Sequence, residues 1–217
     1  EIQLTDAVEK LALKGSKETL NQFQGKGLLD FELQIFGGTA SSDPVNINCL
    51  FAIKDGQLRE PIENIKLSNI QLKGHYLKTD KNPEELVLDN ISLISETGPF
   101  KGSLSIVDFT APTYSGFAHG KINLSSANRI FGFSDIDEVK GFVNISTDFL
   151  ASENARNEAL IIQRCNGTVD FENVLLKLQN DKRRFEKING KVDFTKQNIE
   201  VNNFSLSVNR TDMTLRG

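Results

Sequence analysis

The chain has 217 residues and a mass of 24.1 kDa, which is enough for one large domain, or two small ones, with a real core. It carries 29 acidic and 25 basic residues, and this net charge of −4 argues against the basic surface that binds nucleic acid. The longest apolar run, at 49–53, is far shorter than the roughly 20 residues of a membrane-spanning helix. Because the only methionine is Met213, we expect the chain to be a piece of a longer protein.

The first 23 residues contain the helical signals of the N-terminal region. Apolar residues in 5–13 recur at helical spacing after Thr5, a favourable N-cap residue, and predict a short helix. Gly15 is typical of the residue that ends such a helix, and a second short helix is predicted over 16–23.

A short pattern then recurs along the chain: glycine, any residue, an apolar residue, a small polar residue and an apolar residue. The copies are GLLDF at 27–31, GSLSI at 102–106, GKINL at 120–124, GFVNI at 141–145, GTVDF at 167–171 and GKVDF at 190–194. The alternation places apolar side chains on one face of a strand and polar ones on the other. The last five copies start 18 to 26 residues apart, so we interpret each glycine as a strand start and each copy as the opening of a hairpin.

A second pattern contains a central asparagine: apolar, any, Asn, apolar, any, Leu. It occurs at 67–72, 88–93 and 201–206, and the apolar positions change parity at each asparagine. A shift of one residue flips the faces of a strand unless a bulge absorbs it, and asparagine tolerates left-handed backbone. We therefore predict bulges or sharp twists at Asn69, Asn90 and Asn203. The alternative is that these stretches lie between two layers and need no bulge.

Two further features follow in the second half of the chain. The segment 125–131 predicts a short helix capped by Ser125 or Ser126. Residues 180–184 predict a polar hairpin tip that carries the basic triplet Lys182-Arg183-Arg184, with contact to anionic lipid head groups as the alternative interpretation.

These patterns predict a mainly β protein: an elongated, twisted antiparallel sheet of repeated hairpins, with short helices near the N-terminus and near 125–131. The whole chain, 1–217, is expected to be a single β-rich domain, with sub-units 1–124 and 125–217 as a subdivision. An open groove and a flattened sandwich with a closed apolar core both fit the alternation.

No catalytic or cofactor-binding pattern occurs in the sequence, and we expect no enzyme activity, no cofactor and no metal. Cys49 and Cys165 lack metal-ligand spacing and fit either two half-buried thiols or a single disulfide. His75 and His119 are expected in surface or turn positions near strand ends. The carboxylates Asp30, Asp170 and Asp193 share one repeat position and are interpreted as the wet face of strands.

Several segments together resemble the C-terminal region of the AsmA-like family. They are DGQL at 55–58, LSNIQLKGHY at 67–76, LVLDNIS at 86–92, GPFKG at 98–102, GKINL at 120–124 and INGKVDF at 188–194. The resemblance covers most of the chain from about Gly25 onward and depends on the number and order of the segments.

The resemblance implies a large envelope protein that a helix outside this chain tethers to the inner membrane, with a periplasmic β-rich body. AsmA-like proteins are linked to outer-membrane assembly and are similar to repeating β-groove lipid-transfer proteins. The implied partners are a phospholipid or glycolipid and, through the tether, a membrane. A non-catalytic scaffold that acts through exposed sheet edges, with edge-strand self-association, remains the alternative.

If the sheet forms a groove, apolar repeat positions are expected to contact lipid. These candidates are Leu104, Ile106, Ile122, Leu124, Val143, Ile145, Val169, Phe171, Val192 and Phe194.

Overall fold

The computed structural model describes residues 24–37, 45–61, 64–133, 135–154, 160–195 and 198–215, and they form one antiparallel sheet of eleven strands. Each strand pairs with its neighbours in sequence, so the mainly β, antiparallel prediction is confirmed. The helices predicted over 5–13 and 16–23 lie outside the described residues. The strands are β1 (Gln24–Phe36), β2 (Asn46–Glu60), β3 (Ile65–Lys78), β4 (Glu85–Ser95), β5 (Gly98–Val107), β6 (Thr113–Asn123), β7 (Ile136–Glu153), β8 (Leu160–Leu178), β9 (Phe185–Phe194), β10 (Ile199–Val208) and β11 (Thr211–Leu215).

The strands are longer than the glycine pattern predicted, and the interpretation of each glycine as a strand start is wrong. Gly120, Gly141, Gly167 and Gly190 lie inside β6, β7, β8 and β9, so successive copies fall on successive strands and not on successive hairpins. The physical reason is that a glycine in a strand interior also permits a local bend or a close approach of two backbones. The 18 to 26 residues between successive copies therefore correspond to one strand and the connection that follows it, and not to a hairpin.

The predicted bulges are present at all three asparagines. Asn69 and Asn203 adopt left-handed backbone, with φ of 50° and 48°, and the pairing register shifts beside each. Around Asn90 the register also shifts on both sides of β4, but φ of Asn90 is not positive. The bulges keep the apolar residues before and after each asparagine on the same face, since Leu67 pairs with Leu58 and Leu72 pairs with Ile53.

Further left-handed residues extend this series across the sheet. Asp55 in β2, Asn173 in β8 and Lys187 in β9 have φ of 52°, 49° and 49°, and each lies at a register shift. Bulges increase the local twist and bend the bulged strand. Because the bulges occur in the interiors of neighbouring strands, they bend the sheet along a line that crosses the strands.

Two glycines show why the bend across the strands requires residues without a side chain. Gly141 has φ of 95°, and a Cβ atom there would come within 2.5 Å of the carbonyl oxygen of Asn173 on β8. Gly167 has φ of 123°, and its Cβ would lie 1.9 Å from the carbonyl oxygen of Ser146 on β7. The backbones of β7 and β8 therefore approach each other more closely than any other residue would allow at these positions.

No second layer packs on the sheet within the described part of the chain. Apart from one minor contact, the backbone of each strand lies close only to those of its sequence neighbours, and the helix after β6 lies close to β6 and β7. Side chains reach past one strand, as Phe171 of β8 does to Phe204 of β10, but among the described residues they form no second layer. The sandwich alternative is therefore wrong for these residues, and the open sheet is observed. The few buried apolar side chains are Ile65, Val143, Ala151 and Val174.

Burial without a covering layer requires a concave surface. The positions that are buried in strand interiors on one face trace a line from β2 to β8, which we call the floor line: Gly56, Gly74, Gly102, Gly120, Val143 and Val174. Side chains on either side of this line must shield it, because nothing else among the described residues lies above it. The sheet is thus open on this face, and the pattern of burial is consistent with a groove whose axis runs across the strands.

One short helix, α1 (Leu124–Phe131), joins β6 to β7 and confirms the helix predicted near 125–131. Its N-cap is Asn123, whose side chain accepts hydrogen bonds from the backbone N–H groups of Ser125 and Ser126, so the predicted serine cap is wrong. Asparagine is as favourable as serine at the N-cap, because its side-chain carbonyl oxygen accepts hydrogen bonds from the same unpaired N–H groups of the first helical turn. Among the described residues, no helix has the length and apolar character needed to cross a bilayer.

Helix α1 lies along one rim of the groove. The Ser126 hydroxyl donates a hydrogen bond of 2.7 Å to Glu96 in the turn between β4 and β5. Farther along α1, Arg129 lies 3.8 Å from the carboxylate of Glu60, which is fully buried at the end of β2. These contacts extend from β6 back to β2 and hold the rim in its curved form.

We predict that Gly167→Ala destabilises the fold by more than about 2 kcal/mol, because the new methyl group meets the backbone of Ser146. Gly98→Ala is the matched control: Gly98 also has positive φ, 112°, but nothing lies within 4 Å of its Cβ position. Urea unfolding of both variants measures the difference. An equal loss of unfolding free energy in both variants would show that the strain of positive φ alone explains the effect, and that the close approach of β7 and β8 contributes nothing.

Candidate functional site

The register of the sheet places apolar side chains on one face along all eleven strands. Directly opposed residues point to the same side of a sheet. On this basis one continuous row runs Leu88, Leu104, Gly116, Phe149 and Cys165 from β4 to β8. We call this side the apolar face and the opposite side the polar face.

The structure brings nine of the ten predicted lipid-contact residues together on the apolar face. Ile122, Val143 and Phe171 form one row across β6, β7 and β8, and Ile145, Val169 and Val192 form the next. Leu104, Ile106 and Phe194 extend the same face. The exception is Leu124, which begins α1 and belongs to no strand.

The prediction missed the continuation of this face onto the first four strands. Leu33, Cys49 and Tyr76 form a row across β1 to β3, and Phe31 and Phe51 pair beside it. Their period-two alternation was the available signal, since it is the same alternation that the glycine pattern shows. The apolar face therefore spans the whole sheet and not only β5 to β9.

The margins of the apolar face are open to solvent. The most exposed side chains there lie on β1, β8, β10 and β11, with relative exposures between 47% and 68%: Phe31, Leu33, Ile35, Leu160, Ile162, Ile199, Met213 and Leu215. Between these margins the apolar side chains are mostly half-buried. Large contiguous apolar patches of this kind mark interaction sites on soluble proteins.

A cavity of about 480 Å³ opens on the apolar face at the rim opposite α1. Apolar side chains dominate its walls, among them Leu104, Phe149 and Ile162. Its polar groups are few: the Tyr114 hydroxyl donates a 3.3 Å hydrogen bond to Glu153. An apolar concavity of this size with a polar group at its edge is typical of a small-molecule site.

Two groups of this cavity, the Tyr114 hydroxyl and the Cys165 thiol, stay protonated at neutral pH. Burial, reinforced by the Glu153 carboxylate, raises the pKa of the Tyr114 hydroxyl. Burial also raises the pKa of the Cys165 thiol, and Asp148 adds to the effect. A protonated thiol is a poor nucleophile. Cys165 and Cys49 are both free and half-buried, so the disulfide alternative is wrong.

The polar face carries the histidines and the carboxylates of the repeats. His75 pairs with Leu50 inside β3, and His119 lies inside β6 with its Nδ1 atom 3.2 Å from the Ser146 hydroxyl. Neither is at a strand end, because the strands are longer than predicted. The described residues contain no group of three or more His, Cys, Asp or Glu side chains arranged to hold a metal ion.

The repeat carboxylates lie on the polar face, as expected. Asp30 pairs with Lys54 at 2.7 Å, and Asp193 pairs with Lys191 at 2.9 Å. The hydrogen bond from Lys191 holds the pKa of Asp193 below its ordinary value. Asp170 lies opposite Asn144 and Lys191 in the ladder. Asp30 and Asp193 thus form ion pairs on a solvated surface.

The basic triplet lies at the hairpin tip between β8 and β9, as predicted, but most of its charge is neutralised. Arg183 binds Asp181 at 2.6 Å, and Arg184 binds Glu138 at 2.6 Å and Glu186 at 2.7 Å. Arg184 thereby ties the start of β9 to the start of β7 across the end of β8. This pairing leaves little free charge for lipid head groups and disfavours that alternative.

No family model, no curated protein and no solved structure matches this chain.

The Arg184 network predicts a specific loss of stability in acid. Hydrogen bonds from Lys140 and Arg184 lower the pKa of Glu138 from 4.5 to about 2. Because the pKa is lower in the folded state, the stabilisation is complete above about pH 4.5 and is lost as the pH falls toward about 2. Glu138→Gln should therefore be less stable than the wild type at pH 7 and equal to it near pH 2, by urea unfolding across this range.

Glu200→Gln serves as the control, since Glu200 is exposed on β10 and forms no ion pair among the described residues. It should leave stability unchanged at every pH. A constant difference between Glu138→Gln and the wild type down to pH 2 would contradict the pairing.

Proposed function

We propose that this chain is a lipid-handling module whose apolar face shields the acyl chains of a phospholipid or glycolipid. The observation that supports the proposal best is a continuous apolar face over eleven strands that no second layer covers within the described residues. Exposure of such a face to water is unfavourable, because each methylene group that is removed from water lowers the free energy by about 0.8 kcal/mol. An acyl chain that lies on the face would remove from water both its own methylene groups and the apolar side chains of the protein.

The shape of the face suits a long, thin ligand. Neighbouring strands lie about 4.8 Å apart, so ten spacings give a path of about 48 Å across the sheet. The floor line follows the part of this path from β2 to β8, and four of its six positions are glycines, which add no side chain of their own to the face. Acyl chains laid along the floor line would contact the half-buried side chains on either side of it, because Val143 and Val174 themselves are only 6% and 4% exposed.

The distribution of polar groups fits the same orientation. The apolar face is nearly free of charge, whereas the rims carry Tyr114 and Glu153 on one side and α1 with Arg129 on the other. A head group would then lie at a rim, where hydrogen-bond partners and water are available, while the chains stay on the floor line. This division of polar and apolar contacts is the arrangement that amphipathic ligands require.

The resemblance to AsmA-like proteins supports an envelope setting for this activity. In this proposal the module is periplasmic, a helix outside the chain anchors the full protein to the inner membrane, and lipid moves between the membranes in support of outer-membrane assembly. The sheet is non-catalytic and acts by shielding alone.

Two adjacent isoleucines of β8 provide a matched test. Ile162 lies on the apolar face and lines the cavity, whereas Ile161 pairs with Ser152 on the polar face. They are 64% and 48% exposed, so neither substitution disturbs a packed core. Ile162→Asp should lower the amount of lipid that co-purifies from membranes, measured by native mass spectrometry, and Ile161→Asp should not.

Two outcomes would contradict the lipid proposal. One is a wild-type protein that carries no lipid and binds none from vesicles. The other is an equal loss in both variants, because this would show that charge on the sheet, and not occupation of the apolar face, controls lipid capture.

A second candidate function is a scaffold that acts through the sheet edges. β1 and β11 each have only one partner strand in the described structure, and β1 exposes Phe31 and Ile35 along a thirteen-residue edge. Long exposed edges of this kind pair readily with another chain.

Sedimentation velocity over a range of concentrations tests the edges directly. Self-association through β1 should weaken in Leu33→Lys and persist in Leu50→Lys, because these leucines are 49% and 48% exposed but only Leu33 lies on an edge strand. A wild type that stays monomeric at all concentrations would exclude edge pairing between copies of this chain.

A further inference from the structure

Three cations that are distant in sequence meet on the polar face at the rim that α1 follows. Arg59 of β2 pairs directly with Lys66 of β3, and Lys26 of β1 lies one row away, opposite Gln57. We call Lys26, Arg59 and Lys66 the basic cluster. All three side chains are exposed.

The basic cluster lines a cavity of about 480 Å³ together with other hydrogen-bonding side chains. Gln24 lies in the row of Arg59 and Lys66, while Gln57 and Ser68 lie in the row of Lys26. Gly25, Leu58 and Leu67 line the rest of the cavity, and its hydrogen-bonding groups are a guanidinium, two ammonium groups, two amides and a hydroxyl. Each of these groups can donate a hydrogen bond, and no carboxylate is among the residues that line the cavity.

The charges of the basic cluster are not neutralised within the described structure. None of its members forms an ion pair there, in contrast to Arg183 and Arg184 of the hairpin tip. Like charges that lie directly opposite each other on neighbouring strands destabilise a sheet. An anion in the cavity would remove the repulsion between Arg59 and Lys66.

We propose that the basic cluster is a binding site for a phosphate group. The planar guanidinium of Arg59 can hold two phosphate oxygens, and Lys26 and Lys66 supply the compensating charge. Gln24, Gln57 and Ser68 complete a shell of donors around the remaining oxygens. A phosphate fits better than a carboxylate, since it has more acceptor oxygens and carries more charge than one arginine neutralises.

The site is independent of the proposed lipid groove. The basic cluster lies on the polar face, and its occupant would not touch the floor line. The phosphate group could belong to an anionic lipid head group at a membrane surface or to a soluble phosphate, and the chemistry on the protein side is the same for both. The two sources are separated by experiment.

The test compares two triple variants with the same change in net charge. The first replaces the basic cluster: Lys26→Gln, Arg59→Gln and Lys66→Gln. The second, a control, replaces three lysines that are not clustered and form no ion pair among the described residues: Lys73→Gln, Lys101→Gln and Lys182→Gln. One arm titrates inorganic phosphate in a chloride buffer of fixed ionic strength by calorimetry. The other measures flotation with phosphatidylcholine vesicles that do or do not contain phosphatidylglycerol.

The proposal expects saturable binding in at least one arm, with at least about a tenfold loss of affinity in the cluster variant and little change in the control. Binding of inorganic phosphate identifies a soluble source, whereas binding only to vesicles with phosphatidylglycerol identifies the head group. Phosphate or vesicle binding that falls equally in both variants would overturn the site, as would no binding in either arm.

Thermal unfolding shows whether the substitutions in the cluster variant disturb the fold. Without ligand, the cluster variant should melt no lower than the wild type, because its substitutions remove repulsion. In the arm that binds, the ligand should raise the melting temperature of the wild type and the control but not that of the cluster variant. Failure of the lipid test at Ile162 would leave these results unchanged, so the two proposals fail separately.

Discussion

Curvature without a covering layer is the constraint on which the rest of this structure depends. A sheet with one apolar face normally buries that face against a helix layer or a second sheet. Here the described residues supply neither, and the shielding of Val143 and Val174 comes from the bend of the sheet itself. The bend in turn depends on the left-handed residues and glycines that cross the strand interiors. Stability is therefore distributed along the backbone ladders and the local contacts between neighbouring strands.

Within the described residues, the apolar face is continuous, nearly free of charge and open at its margins. The absence of a core there means that a substitution on this face disturbs few packing contacts, which makes binding and stability separable here. In a sandwich the two would be linked, because the binding face and the core would be the same residues.

Much of the fold could be predicted from the sequence because local rules dominate it. Period-two alternation assigned the strands and their faces, and the parity switch located the bulges at Asn69 and Asn203. The same pattern occurs at 171–176, where Asn173 is left-handed and adds a bulge to the three predicted ones. The left-handed Lys187 carried no such signal, since lysine has no preference for that backbone.

The features that the sequence does not predict depend on the pairing register, which decides which residues of neighbouring strands lie side by side. The basic cluster joins positions 26, 59 and 66, and only the pairing of β1, β2 and β3 brings them together. The triplet Lys182-Arg183-Arg184 is conspicuous in sequence, yet Arg183 binds Asp181 of the same turn, and Arg184 binds Glu138, which the sheet brings from β7. Strand length was misjudged for a similar reason: whether a glycine ends a strand or bends it is decided by the neighbouring backbone.

The central claim, that the apolar face is open, is tested most directly by the two native thiols. Cys49 and Cys165 lie on the apolar face of β2 and β8, and the chain has no other cysteine. The measurement is the rate at which each thiol of the delipidated native protein reacts with N-ethylmaleimide, followed by mass spectrometry. An open groove predicts reaction without unfolding and protection of both thiols when phospholipid is added. Reaction only at the rate of global unfolding, with or without lipid, would show that the face is a closed core.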